Sequence, residues 1–509
     1  VATFIVRRLI ASIFIFLAAT YLMYILTALS GDPLEDLRTS TAPNKQQLIE
    51  ARTALLHLDV PPYLRYFIWI AGVGKCFIGQ CDLGVTVQNQ PVTVLLAQAA
   101  GSTLQLVTIA SVIAIILGLV VGITTALRQY SGYDYGVTFL SFLFFSLPIF
   151  WVAVLLKQFV AIGFNDFLSD PQIAPWIIPI LAVISGLIWM SILPGKGRRK
   201  LITFAAAALA SAAVIIYMDL SDWFSYPHIG IVGVALTLVG AAFGVTTIST
   251  GLKNRRALYA SLVVAGIGVA AWYPFIYFTT GLPFWGWIGI GVATVLVALA
   301  VGWFMGGDDR RPVARTAAIV GFVAFSVLSL DRFMQVWDDY ANSGRIKGRP
   351  IATIGSGTPG LEGSLWVHGV DLFTHLLLPT LALILISFAT YTRYSRASLL
   401  EVMNQDYIRT ARAKGLTERT VVVRHAFRNA LIPIATIVAF DIGGIIGGAV
   451  ITERVFGWTG MGALFQNGLD HVDPNPVMAF FLVTGSLAIL FNLIADLVYA
   501  GLDPRIRVS

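Results

Sequence analysis

The chain has 509 residues, 57% of them hydrophobic and only 12% charged, and its mean hydropathy is +0.80. Such a composition excludes an ordinary soluble globular protein and predicts an all-α polytopic membrane protein built from spans of about 20 apolar residues. The formal net charge of +7 is gathered in short clusters between apolar runs, as in cytoplasmic loops, so it predicts membrane orientation and no nucleic-acid partner.

Arg7 and Arg8 precede a mostly apolar run from Leu9 to Leu29. At about 20 residues this run exceeds a signal-peptide core, so residues 1–30 are expected to form an uncleaved first transmembrane helix with its N-terminus in the cytoplasm. Residues 31–100 are then an extracytoplasmic loop rich in proline, with a helix-like piece near 46–58. That loop holds the only two cysteines, Cys76 and Cys81. In an oxidising compartment a disulfide between them is expected, with two free thiols as the alternative. Residues 101–167 carry the second and third core spans, near 104–127 and 137–164, around the polar turn "RQYSGYD". Lys157 in the third span is expected to snorkel toward the outer interface.

Residues 168–370 form a long hydrophobic tract with six apolar runs. The first exits at the basic "GKGRRK", the second at the acidic "DLSDWFSYP", the third at the basic "KNRR". The fourth ends in the uncharged "TTGLPFWGW", the fifth in "DDRRPVAR" and the sixth in "DRFMQVWDDYANSGR". Near the span ends the signs alternate, so the tract is expected to cross six times and to begin and end outside. Four of the runs are shorter than about 20 residues, which requires local bilayer thinning. Four spans with one re-entrant hairpin would keep the same parity.

Residues 371–509 carry core spans four to six, near 373–391, 432–451 and 478–502, around a cytoplasmic loop at 403–430. The total is twelve expected spans, with both termini cytoplasmic. Asp441 lies roughly 15 Å into its span and is a candidate for a polar pathway or a buried pair. Asp496 is expected near the inner interface. Gly443 with Gly447, and Gly444 with Gly448, form small-xxx-small pairs that favour close helix approach.

No phosphate loop follows Gly74-Lys75 or Gly195-Lys196, and Gly355-Ser356-Gly357 lacks nucleophile-elbow spacing. The six histidines, at 57, 228, 368, 375, 425 and 471, lack metal-ligand spacing. No catalytic residue, metal site or cofactor is therefore expected in this chain.

One cytoplasmic stretch, "DYIRTARAKGLTERTVVVRHAFRN", carries six Lys or Arg and two acids in 24 residues. It reads as a short helix, a turn at Gly415, and a second helix capped by Thr417 with Glu418 in its first turn. Ile408, Ala411 and Gly415 would form a small, smooth face. In the second helix Val423, Phe427 and Ala430 would form an apolar stripe beside Arg424 and Arg428, with Pro433 in the first turn of the next span. On charge alone such a loop rests on anionic lipid.

Its residue order is more specific. "DYIRTARAKGLTERTVVVRHAFRNALIP" resembles the cytoplasmic coupling loop of binding-protein-dependent ABC importer permeases of the dipeptide/oligopeptide branch. Arg409 and Thr410 depart from the broad Glu-Ala-Ala-x-x-x-Gly pattern of such permeases, whereas Ala411 and Gly415 match it. The resemblance extends to "FIVRRLIASIF", "SGDP", "CDLGVTVQNQPV", "LLLPTLAL", "YTRYSRASLLEVMNQDY", "ITERVFGWTGMGALF" and "DLVYAGLDPRIR". It implies a six-span type I permease core in a bacterial inner membrane, with the 168–370 tract as an insertion of about six further spans. It also implies a second, homologous permease, two ATP-binding subunits that hold ATP and Mg, and an extracytoplasmic solute-binding protein. Tyr407, Thr410, Ala411, Arg412, Ala413, Lys414 and Gly415 would couple to an ATPase subunit, with Ala411 and Gly415 allowing close docking. The expected cargo is di- or oligopeptides, with nickel or saccharides as alternatives. A proton-coupled secondary transporter using Asp441, or a membrane scaffold or receptor, are the competing classes.

Overall fold

The computed structural model describes residues 2–193 and 195–502, excluding the side chains of 2–5, 419, 432, 436, 439–440, 442–448 and 495–502. The side chain of Asp496, the packing at Gly443, Gly444, Gly447 and Gly448, and the basic tail from residue 503 lie outside what the structure describes. Among the described residues every regular element is a helix, apart from an isolated bridge between Val85 and Pro91. Among the described residues nine helices are long and apolar enough to cross a membrane, or ten when one bent pair counts as a single span.

The sequence count of twelve differs from this for identifiable reasons. Pro148 displaces the third core span without removing it: the expected run 137–164 becomes the helix Gly132–Ser146 and a spanning run Ile149–Ser169. Proline lacks the N–H and disfavours helical backbone at the residue before it; Leu147 is accordingly extended, with φ −87 and ψ 132. In the hydrophobic tract four runs meet the length outright: Arg198–Leu220, Gly230–Ser249, Phe284–Met305 and Gly307–Gln335. A fifth is the pair Arg255–Ala270 and Trp272–Thr279, bent by 49°. Pro274, three residues into the second of these helices, cannot donate back to Ala270, which accounts for the bend. The remaining run, Ile177–Ile192, has 16 residues and rises only about 24 Å. The helix Phe427–Phe456, of 30 residues, falls outside the count because its central side chains are not described.

The chain divides into two compact units. One comprises residues 1–160, 353–356 and 376–509; the other comprises 161–352 and 357–375. In the second unit, Asp331 is buried and joins three elements. Its Oδ1 accepts from the amides of Ile229 (2.6 Å) and Gly230 (3.0 Å), at the start of Gly230–Ser249. Its Oδ2 accepts from Trp272 Nε1 and Gln335 Nε2, each at 2.7 Å. A carboxylate at a helix N-terminus satisfies amides that have no intrahelical partner. Trp366 packs beside it among Phe275, Trp287 and Phe333, and its indole donates to Thr279 O at 2.8 Å.

In the first unit the helix Val92–Leu127 presses on Leu365–Met403 through glycine. A Cβ at Gly118 would lie 2.5 Å from Tyr391 Cβ, and one at Gly122 would lie 2.6 Å from Ser395 Cβ. This is a small-xxx-small contact of the kind that bilayer helices need, because lipid tails supply no hydrophobic drive between them. Asp134, which is 2% exposed, receives a two-pronged bond from Arg396 at 2.8 and 3.0 Å. It also sits in the first turn of a helix capped by Ser131.

A second fastening lies between residues 82–91 and the start of Pro474–Leu502. Asp473 accepts from the amides of Val87 at 2.8 Å and Asn475 at 3.2 Å, and Asn475 Nδ2 donates to Val85 O at 2.8 Å. Burial pushes the Asp473 carboxyl up from its ordinary 3.8 to about 6, against the lowering effect of those amides, His471 and Arg52. Cys76 and Cys81, close by in sequence, are joined by a disulfide.

Two tests follow from this packing. Gly122→Leu should lower the melting temperature of the purified chain and reduce its folded yield, by roughly 1–3 kcal/mol of overpacking, whereas Gly101→Ala, with no atom within 4 Å of the added Cβ, should not. Folding takes up a proton at Asp473 between pH 3.8 and about 6, so its contribution to stability is greatest at low pH and is lost as pH rises through about 6. Melting curves of wild type and Asp473→Asn should therefore shift in the wild type's favour as pH falls through that window, with a constant difference above it.

Candidate coupling site

The basic segment begins with the helix Asp406–Ala413. Its end follows from one residue. Gly415 has φ +74, the left-handed region that L side chains avoid. The Gly415 amide donates to Arg412 O at 2.9 Å and the Leu416 amide to Ala411 O at 3.4 Å. These are the two bonds of a Schellman turn, which satisfies the last carbonyls of a helix. A Cβ on Gly415 would meet nothing within 4 Å, so glycine is required here for backbone conformation and not for proximity within this chain.

Two residues beyond, Thr417 caps the next helix, its side chain accepting from the Thr420 amide at 3.4 Å. Arg412 bridges the turn to Glu418 with bonds of 2.7 and 3.2 Å. That pairing lowers the Glu418 carboxyl below its ordinary range. Both side chains are about half exposed, so the pair is worth at most about 1 kcal/mol. It steers the turn more than it stabilises the fold.

The two faces of the short helix differ from the sequence expectation. Ile408 is fully buried and Ala411 is 7% exposed, both packed with Ala126, Leu399, Val421, Ala426 and Ala430 of the same chain. The small face is therefore already occupied, and Ala411 cannot contribute directly to an external contact. Tyr407, Thr410, Arg412, Ala413, Lys414 and Gly415 point outward. Tyr407 is held by Asn429, whose Nδ2 donates to the phenol oxygen at 3.0 Å, and Thr410 Oγ1 donates to Asp406 O at 2.9 Å.

The second helix is also shifted. Residues Val421–Ala426 form a π-helical turn, which widens the spacing of inward positions. Val421, Val422, Ala426 and Ala430 are buried, whereas Val423 is 59% exposed. The expected stripe of Val423, Phe427 and Ala430 thus holds only toward its end. Pro433 lies in the second turn of Phe427–Phe456, and not in the first, because that helix begins before the apolar run does.

Away from the segment, Asp441 is half-buried and interacts with the Tyr391 phenol. A site that the sequence reading missed lies around Glu453, which is fully buried. Its Oε1 accepts from Thr103 Oγ1 at 2.6 Å and its Oε2 from the Gly462 amide at 2.7 Å. Thr103 Oγ1 in turn accepts from the Met461 amide at 2.8 Å. The quoted run "ITERVFGWTGMGALF" contains both Glu453 and Gly462. A glutamate among apolar residues was the available signal. Among the described residues no group of three or more His, Cys, Asp or Glu is placed to hold a metal ion.

The family profile for the binding-protein-dependent transport system inner membrane component matches residues 114–508. The oligopeptide transport system permease protein OppB of Mycobacterium tuberculosis H37Rv is 26% identical over 506 residues, 99% of each chain. The oligopeptide permease AppB of Bacillus subtilis is 45% identical over 137 residues, 27% of this chain and 43% of that one. The dipeptide permease DppB of Escherichia coli K12 is 41% identical over 138 residues, 27% of this chain and 41% of its own. The hydrophobic tract set apart in the sequence falls within the length shared with the mycobacterial protein.

Replacing Gly415 separates its conformational role from any contact. Gly415→Asn, which tolerates left-handed backbone, should keep amide exchange protection over 406–420 close to wild type. Gly415→Val should lose it, with the Schellman bonds opening at a strain of about 1–3 kcal/mol.

Proposed function

Because the chain belongs to the family of binding-protein-dependent transport system inner membrane components, it is a transport permease and not an enzyme, and we propose that it carries di- or oligopeptides across a bacterial inner membrane, driven by ATP hydrolysed on partner subunits. The relatives named as oligopeptide and dipeptide permeases support the cargo. In this reading two ATP-binding subunits hold ATP and Mg, a second homologous permease completes the pathway, and an extracytoplasmic solute-binding protein delivers the peptide. Both termini and the segment 403–430 face the cytoplasm, following the distribution of Lys and Arg.

The observation that carries the coupling role is the division of labour on Asp406–Ala413. One face is locked into its own chain through Ile408 and Ala411. The other leaves Tyr407, Thr410, Arg412, Ala413 and Lys414 exposed. A helix anchored on one side and bare on the other transmits a push on the bare side to what it is anchored on. Here the anchor includes Ala126 and Leu399, near the ends of two spanning helices. Closure of an ATPase subunit against the bare face would thereby move both. Asp441, facing Tyr391 across two packed helices, is the proposed polar element of the pathway.

Ala413→Trp tests this reading, since Ala413 is exposed on the outward face of its helix. The variant should insert and melt as wild type does, yet co-purify with ATPase subunits at least about tenfold less well and lose ATP-dependent peptide uptake in vesicles. Unchanged assembly and uptake would remove the coupling role, and uptake that followed a proton gradient without ATP would remove the importer reading.

A further inference from the structure

We propose that the helical pair Phe284–Met305 and Arg310–Gln335 carries a binding site for one anionic glycerophospholipid, its phosphate held by Arg311 and Arg315 and an acyl chain laid along the furrow between the helices. The two helices are joined only by the turn 306–309 and therefore run antiparallel. They touch at backbone distance. A Cβ on Gly302 would lie 2.5 Å from Ala314 Cα, and one on Gly321 would lie 2.5 Å from Ala298 Cβ. Contact this close along the centre line leaves a furrow at its flank where the larger side chains diverge.

That furrow is an open groove of about 520 Å³ on the helix surface. Leu299, Ile319 and Phe322 line it together with Trp303 and the stems of Arg311 and Arg315, and the lining is almost wholly apolar; by position in their helices, Trp303, Arg311 and Arg315 lie nearest the turn. Arg311, Arg315 and Phe322 share one face of their helix by spacing. Both arginines are exposed, and neither has an ion-pair partner among the described residues. The nearest acids are engaged elsewhere: Asp308 pairs with Arg256 at 3.6 Å, and Asp309 accepts from Asn254 at 3.4 Å. Arg310 is also engaged, lying 5.9 Å over the Trp303 ring and donating to Gly307 O.

Depth in the membrane follows from connectivity. Each helix is long enough to span the bilayer, so the short turn between them, and with it Arg311 and Arg315, sits at one surface. Trp303 belongs at the same level, where indole rings concentrate. A ligand that fits must place an anionic, bidentate acceptor at the guanidinium groups and a hydrocarbon chain below them. An anionic phospholipid has that form. A zwitterionic lipid carries its own ammonium against the arginines, and free phosphate has nothing to fill the apolar walls.

The test uses the full-length chain in mild detergent, offered an equal mixture of phosphatidylglycerol and phosphatidylcholine and read by native mass spectrometry. Wild type should retain phosphatidylglycerol in preference. Arg311→Ala with Arg315→Ala should weaken that retention about thirtyfold, from roughly fivefold for each basic residue at a membrane surface. Arg198→Ala with Arg199→Ala, which removes equal charge from another exposed helix start, should leave it unchanged. Equal loss in both double variants would overturn the site in favour of charge alone. No preference for phosphatidylglycerol in wild type, or its displacement by excess inorganic phosphate, would also overturn it.

Discussion

The approach of Val92–Leu127 to Leu365–Met403 at Gly118 and Gly122 is the contact on which the arrangement of the first unit depends. Hydrocarbon gives helices no reason to associate beyond close packing and polar bonds, and both occur here along one seam. The glycines admit the Tyr391 and Ser395 backbone, and Arg396 on the same helix closes on the buried Asp134. Farther along, the same two helices deliver Ala126 and Leu399 to the cluster that holds Ile408 and Ala411. The helix Asp406–Ala413 therefore sits where the seam puts it, and its outward residues are defined by what the seam has already covered.

The same logic explains why polar side chains recur where helices begin. Asp331, Asp473 and Glu453 are each buried and accept from main-chain amides: Asp331 and Glu453 at the start of another helix, Asp473 in the loop at Val87 and at the start of its own helix. Removing such a carboxylate would strand donors away from water, a larger penalty than the loss of an exposed ion pair such as Arg412–Glu418. These acids fasten segments that are distant in sequence: Val87 and Asp473 are 386 residues apart, and Thr103 and Glu453 are 350 apart.

Proline reshaped two of the expected spans without removing either. Pro148 and Pro274 each fall inside a run whose hydropathy reads as continuous, yet each removes a donor and turns the chain. Hydropathy registers how apolar a segment is and is blind to whether its backbone can remain one helix.

The linear chain determined what local physics determines. Apolar length set the membrane class, the Lys and Arg distribution set the expected orientation, and glycine and threonine in the right order set the Gly415 turn and the Thr417 cap, both found where the residue types placed them. Family likeness was legible too, because it resides in contiguous runs. Tertiary structure alone decided which side of the Asp406–Ala413 helix faces its own chain. Ala411 is small whether it meets an ATPase or Leu399, and nothing in its neighbours along the chain distinguishes the two. The pairing of Asp134 with Arg396 and the furrow below Arg311 both required residues from separate helices to be brought together. Burial is a property of the partner as much as of the residue, and the partner can lie on another helix twelve positions away, as Leu399 does from Ala411, or hundreds, as Ala126 does.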